Sequence, residues 1–264
     1  PHGQKQPPGR TELRGVRLNS MPVEDRFQDQ MLGPIFQRAG YDTAYGGKWH
    51  VPEVRLPDGK YGFKNICDPD DAAVADRSIE YMRQDRDDPF LLVASFDASH
   101  NVCEWAREQV LHWDRVDEVS TEDCPPLPHN YAPQALEPQA VNVERDSRPT
   151  IYSSPGYREP QWWRHYRHAY FRLIERLDTA IGRLLGALDE LELREDTLVV
   201  FMSDHGEAQG AHNFKQKSVL FEETMRVGCM FRYDGVIPAR GGDRHLVSTG
   251  LDLMPTLCDY AGIA

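Results

Sequence analysis

A chain of 264 residues with 40% hydrophobic content can form one large α/β domain with its own core, and it is not a disordered polymer. Thirty Lys and Arg against 42 Asp and Glu give a net charge of −12, which argues against a nucleic-acid binder. The same charge leaves room for a small anionic substrate, because a local group of Lys and His can dominate a cleft.

No apolar run reaches the ~18–20 residues that a membrane-spanning helix requires. The five cysteines (Cys67, Cys103, Cys124, Cys229 and Cys258) are odd in number, widely spaced and without a Cys-x-x-Cys pair. They read as reduced or buried thiols, with neither a disulfide scaffold nor a zinc knuckle implied. The sequence opens at Pro1 without an initiator Met or signal peptide, and so reads as a piece of a longer polypeptide.

Residues 1–24 are rich in Pro, Gly and Arg and read as loop. From Asp25 to Ala39, Phe27, Met31, Leu32, Ile35 and Phe36 recur at helical spacing, with a kink expected at Pro34 and a cap at Gly40. "YDTAYGG" (41–47) reads as a short strand running into glycines. A helix is expected over 70–84, with Ala73, Val74, Ile79 and Met82 inward, and "FLLVASF" (90–96) has the continuous apolar run of a fully buried strand. Eight prolines between 120 and 160 predict an irregular insertion without long helices. A long amphipathic helix follows over 161–191, with Tyr166, Ala169, Tyr170, Leu173, Ile174, Leu177, Ile181, Leu184, Leu185 and Leu188 on one face. Then come a strand at 197–203, a short helix at about 216–225, a strand at 228–233, a candidate strand at 246–250 and a closing helix over 251–262, stopped by Gly262. There are no repeats. Strands alternating with helices predict a mostly parallel sheet between helices, with ligands beyond the strands' carboxyl ends.

Four stretches carry candidate chemistry, and three of them follow strands. "SDHGE" (203–207) delivers Asp204 and His205 at a strand end, as a metal pair or as a turn cap beside an exposed histidine. In "GGKWH" (46–50), Lys48 and His50 are two apart and point to one side, which suits an anion; the alternative is a solvated lysine beside a packed Trp49. "SFDASHN" (95–101) offers His100, with Asp97 as a possible partner. "HNFKQKSVLFEE" (212–223) carries Lys215 and Lys217 ahead of a helix. Each signal alone is weak. Their convergence on strand ends is what an active site requires.

These segments together resemble the type I sulfatases of the alkaline phosphatase superfamily. "GYDTAYGGKWH" resembles a signature of that family, "TLVVFMSDHGE" its metal-bearing strand, "KSVLFEETMRV" its Lys-x-x-x-(Tyr/Phe)-Glu segment and "LVSTGLDLMPTLCDYAGI" its Asp-(Leu/Ile)-x-Pro-Thr-Leu helix, in matching order. The resemblance implies an alkaline-phosphatase-like α/β fold, residues 1–264 as a partial catalytic domain, and hydrolysis of a sulfuric ester, with a sulfated carbohydrate favoured over aryl or choline sulfate. By the same resemblance Asp204 and His205 bind a divalent metal, usually Ca2+, with Mg2+, Mn2+ and Zn2+ as alternatives. Lys48 contacts the sulfate and the nucleophile. His50 bonds the nucleophile's hydroxyl and helps release sulfate. His100 and Lys217 hold the sulfate near the leaving oxygen, and either would serve as general acid.

Glu207 reads either as a support for the metal pair or as packing, and His212 as either a subsite or a structural residue. In "CEWAR" (103–107), Trp105 would stack on a sugar or sit in the core, and Arg107 would meet a carboxylate or a second sulfate. The family's formylglycine nucleophile arises in a Cys-x-Pro-Ser-Arg segment that is absent here. The resemblance therefore places it upstream, lacks the C-terminal subdomain and predicts that these residues alone are inactive. A phosphodiesterase or phosphonate monoester hydrolase of the same superfamily, and an inactive sulfated-glycan binder, are the competing readings. Family members are periplasmic, secreted or lysosomal; neither a nucleic-acid partner nor a membrane span is expected, and oligomeric state is left open.

Overall fold

The fold is described from a computed structural model over residues 23–50, 56, 59–109, 111, 115–152, 159–217 and 219–263, with backbone alone for 147–152. The expected loop at 1–22 lies outside these residues. Two compact units are present. The first comprises described residues of 23–97, 179–199 and 232–263, and the second those of 98–178 and 200–231.

The first unit opens with two short helices, α1 (Asp25–Gln28) and α2 (Leu32–Arg38), in place of the single kinked helix expected. The break precedes Pro34, because a proline in the first turn of α2 costs no hydrogen bond there. The predicted stop at Gly40 is present as a Schellman turn. Its N–H bonds the Gln37 carbonyl (3.0 Å), the Tyr41 N–H bonds the Phe36 carbonyl (3.1 Å), and the Phe36 and Tyr41 rings meet edge to face.

Strand β1 (Asp42–Gly47) then lies at the centre of a three-stranded parallel sheet of order β2-β1-β3, flanked by β2 (Lys64–Cys67) and β3 (Phe90–Ser95). Helix α3 (Asp71–Met82) joins β2 to β3, is capped by the Asp70 carboxylate on the Ala72 N–H (3.1 Å), and buries Val74, Ile79 and Met82, with Ala73 half-buried. Strand β3 is half-buried along its length rather than fully buried, because it is an edge strand with β1 as its one neighbour among the described residues.

The second unit begins with α4 (Val102–Trp105). Within the Pro-rich stretch a 14-residue helix, α5 (Gln139–Tyr152), overturns the expectation of no long helix there. Five of the eight prolines precede it: Pro138 starts the helix by accepting the Val141 N–H (2.9 Å), 139–148 contain none, and the helix runs on through Pro149 in its last turn. Residues 153–158 of the same stretch lie outside the described residues.

Helix α6 (Pro160–Glu190) is the long amphipathic helix. Trp163, Tyr166, Ala169 and Leu173 of its first half are buried in the second unit with Val102, Ala106 and Val116. Ala187 and Leu188 of its second half join Ile79 and Met82 in the first unit. Ile174, assigned to the inner face, is exposed. Strand β4 (Val199–Met202) pairs with β5 (Cys229–Arg232).

The helix expected at 216–225 is reduced to α7 (Glu222–Met225). Gln216 cannot open a helix, because its φ is +69°, its N–H goes to Glu207 and its carbonyl takes the Ala208 N–H. Residues 246–250 are coil and turn, not strand: the Ser248 carbonyl takes the N–H groups of Leu251 and Asp252, which leads into α8 (Leu253–Tyr260). As predicted, α8 stops at Gly262, in the left-handed region.

Candidate active site

At the end of β1 two glycines precede Lys48, and the packing explains them. Gly47 has φ +100°, and a Cβ there would lie 1.9 Å from the Ser95 carbonyl oxygen. The close approach lets the Lys48 N–H bond that same oxygen (2.8 Å), while Ser95 Oγ donates to the Lys48 carbonyl (2.8 Å). β1 and β3 are thereby locked together at their carboxyl ends. Trp49 turns inward, stacked on Tyr61 and edge-on to Tyr45. The Lys48 ammonium reaches Asp97 Oδ1 at 2.6 Å, with both side chains about a quarter exposed or less. Asp97, considered above as a partner for His100, thus pairs with Lys48, and its N–H donates to Asp71 Oδ1 (2.6 Å). Asp71 is a buried carboxylate in the first turn of α3 whose part at the strand end the sequence reading missed; a buried Asp one residue past a helix cap was its only signal. His50 is exposed.

In the second unit, β4 leads directly into Asp204 and His205. The His205 N–H bonds Asp204 Oδ1 (3.0 Å), and Asp204 Oδ2 lies 3.3 Å from His205 Nε2. Nδ1 of His205 faces the Gly206 carbonyl at 2.9 Å, and in the neutral ring the tautomer that donates this bond leaves a lone pair on Nε2. Lys217 Nζ reaches that Nε2 at 2.5 Å. Gly206 is required by space: a Cβ would fall 2.0 Å from the Glu223 carbonyl, and its N–H bonds the Thr224 carbonyl (2.9 Å). His100 is half-buried just ahead of α4, where its carbonyl takes the Cys103 N–H.

Asp204, His205 and Lys217 therefore meet. Lys48 and His50 belong to the first unit, and His100, Asp204, His205 and Lys217 to the second.

Of the remaining candidates, His212 and Trp105 resolve toward structure. His212 is buried, stacked on Phe221 at 4.0 Å, with Nε2 3.3 Å from Asn130 Nδ2; it fills the core rather than a subsite. Trp105 packs with Trp162 and Tyr166, and Arg107 is half-buried. Glu207 Oε1 accepts from Tyr166 Oη (2.9 Å) and the Gln216 N–H (2.7 Å).

Lys215, noted with Lys217 ahead of a helix, is fully buried, its ammonium 5.8 and 6.0 Å from the Trp162 and Tyr166 ring centres. Tyr170, on the same helix face, is pushed up from the usual phenol pKa by burial, with hydrogen bonds from Ser99 and Gln209 pulling the other way.

All five thiols are free. Burial pushes Cys103 up to about 11 and raises Cys124 and Cys67, so these three are poor nucleophiles at neutral pH. The residues fit a divalent ion in part. Asp204 has an 81% exposed side chain, and His205 Nε2 beside it is of suitable type but is taken by the Lys217 ammonium, which a metal there would have to displace; no group of three acidic, His or Cys side chains forms a complete site among the described residues.

A parallel sheet with helices packed on it is of the α/β class, and the fold is alkaline-phosphatase-like. The chain belongs to the sulfatase family, whose model matches residues 10–263. That family works with a formylglycine nucleophile and a divalent metal.

The chain is 28% identical to a Delta 4,5-hexuronate-2-O-sulfatase of Bacteroides thetaiotaomicron, over 94% of this chain and 55% of the relative. It is 31% identical to a choline-sulfatase of Rhizobium meliloti, over 86% of this chain and 51% of the relative. Among solved structures, a 2-O GAG sulfatase superposes with a TM-score of 0.76 at 26% identity, covering 95% of this chain and 57% of that one. The chain spans about half the length of the curated relatives it matches.

Proposed function

We propose that the protein is a sulfuric ester hydrolase acting on a sulfated carbohydrate. The observation that carries this is the Lys217–His205–Asp204 contact at the end of β4 in a chain of the sulfatase family. Sulfuryl transfer builds negative charge on the sulfate oxygens and the leaving oxygen, and cations fixed around that charge lower the barrier. In this reading Lys48 and Lys217 supply fixed positive charge, and Asp97 balances Lys48 until a substrate anion takes that place. By the family resemblance His100 and Lys217 would hold the sulfate near the leaving oxygen, where either would hand over the proton it needs. By the same resemblance His50 would serve the nucleophile's hydroxyl.

Asp204 and His205 would hold the metal, with Ca2+ the ion that the family resemblance implies and Mg2+, Mn2+ and Zn2+ the alternatives. A bound divalent ion supplies Lewis-acid stabilisation of the sulfate oxygens. The carbohydrate preference is drawn from the hexuronate sulfatase and the GAG sulfatase among the chain's likenesses; the choline-sulfatase stands against it.

The test is turnover by the full-length protein of matched 4-nitrophenyl sulfate and phosphate esters, of a 2-O-sulfated uronate disaccharide and of choline sulfate. Sulfate esters turned over in preference to phosphate, with the disaccharide best, are expected, and Lys217→Ala should lower kcat by roughly 10²-fold. Faster phosphate or phosphonate hydrolysis would replace this reading with the phosphonate monoester hydrolase. Glycan binding without turnover of any ester would replace it with a binding protein.

A further inference from the structure

We infer that Glu207 is a positioning residue for Lys217: its carboxylate sets the turn that delivers that lysine to His205. The inference rests on the reading of Lys217 above. Three residues past Asp204, Glu207 is fixed by Tyr166 of α6, whose hydroxyl donates to its Oε1 at 2.9 Å. The same oxygen accepts the N–H of Gln216 at 2.7 Å and, at 3.4 Å, that of Gln209. One carboxylate oxygen thus joins the loop after β4, the buried face of α6 and the segment that ends in Lys217.

Gln216 is the joint. Its φ is +69°, a conformation that a residue with a side chain adopts only where its surroundings impose it. Those surroundings are specific. The N–H goes to Glu207, the carbonyl accepts the Ala208 N–H (3.3 Å), and the side-chain amide donates to Cys103 Sγ (2.9 Å). The two residues before it, Phe214 and Lys215, are fully buried, with the Lys215 ammonium over the Tyr166 ring. The residue after it, Lys217, is exposed and touches His205 Nε2. Within four residues the chain passes from closed core to the metal pair, and it turns at the residue whose N–H Glu207 holds. Without that acceptor the left-handed turn loses its fixed partner. Lys217 then samples positions away from His205, and fixed charge becomes mobile charge, which stabilises a transition state less.

The test is a double-mutant cycle on the full-length protein, read in kcat for 4-nitrophenyl sulfate and, independently of turnover, in the calorimetric dissociation constant for inorganic sulfate. Glu207→Ala is expected to lower kcat about 10–100-fold and to weaken sulfate binding, as removal of a support behind a reactive group does. Glu207→Gln keeps an acceptor where both short bonds end and should stay within about threefold of wild type. In a Lys217→Ala background, Glu207→Ala should change either readout by less than about twofold. Tyr166→Phe, which leaves no large cavity, should give a smaller defect that likewise disappears with Lys217; it serves if Glu207→Ala fails to fold.

Additive effects of Glu207→Ala and Lys217→Ala would overturn this inference, as would a Glu207→Gln defect equal to that of Glu207→Ala. A Lys217→Ala enzyme with wild-type kcat would instead overturn the functional reading beneath it.

Discussion

At the scale of single residues, the site depends on places where a side chain is forbidden as much as on those where one is required. Gly47 shows this most sharply, since its missing Cβ is what lets β1 close on Ser95 and bring Lys48 to Asp97. Gly47→Ala combines a left-handed φ with a 1.9 Å approach to a backbone oxygen and should cost at least ~3 kcal/mol in unfolding free energy, read as a lower urea midpoint at unchanged m-value. A cost below ~0.5 kcal/mol would show that the glycine is dispensable. The candidate residues were legible in the sequence because they follow apolar strands directly: Lys48 after β1, Asp204 and His205 after β4. What surrounds them was not. Lys215 reads as a solvated lysine because composition places lysines outside, and only the three-dimensional closure of Trp162 and Tyr166 over it reveals a buried cation. The Asp97–Lys48 pair joins residues 49 positions apart, and local pattern carries no record of such partners.

At the scale of elements, period and punctuation predicted β1, α3, β3, α6, β4, β5 and α8, and failed where tertiary contacts replaced them. Helix α5 docks through a charged residue. Arg145 is buried, pairs with Glu137 and donates Nε to the His212 carbonyl (3.0 Å), so the helix shows no apolar stripe to read. Ahead of α7, Gln216 gives its N–H to Glu207 and its carbonyl to the Ala208 N–H.

Helix α6 also carries a titration that reports on its packing. His168 faces Arg172, His165 and Glu175 and is hydrogen-bonded with the backbone at Asp117. Burial first, and then the Arg172 guanidinium, hold its imidazole below the ordinary histidine range. A depressed histidine pKa means that the unfolded chain binds the proton first. The stability gained from a neutral His168 is therefore present above ~6.5 and is lost as pH falls through that value toward the folded pKa. His168→Gln should flatten the dependence of the urea midpoint on pH between about 7 and 5; a parallel dependence in both proteins would show that His168 titrates as it does in the unfolded chain.

At the scale of the whole molecule, the chain spans about half the length of its curated relatives, and its candidate residues are divided between two units. The α/β class and the sulfatase family were both legible in the sequence. The family followed from several short motifs in one order, each of them weak alone.

The most direct measurement of the account is a crystal structure of the full-length protein grown with calcium and soaked with selenate, whose anomalous signal marks the oxyanion. The account predicts selenate within hydrogen-bonding reach of the Lys48 and Lys217 ammonium groups and the His100 imidazole, with the cation beside it on Asp204 and His205. Selenate bound away from these side chains, or Lys48, His100 and Asp204 found in separate regions, would contradict it.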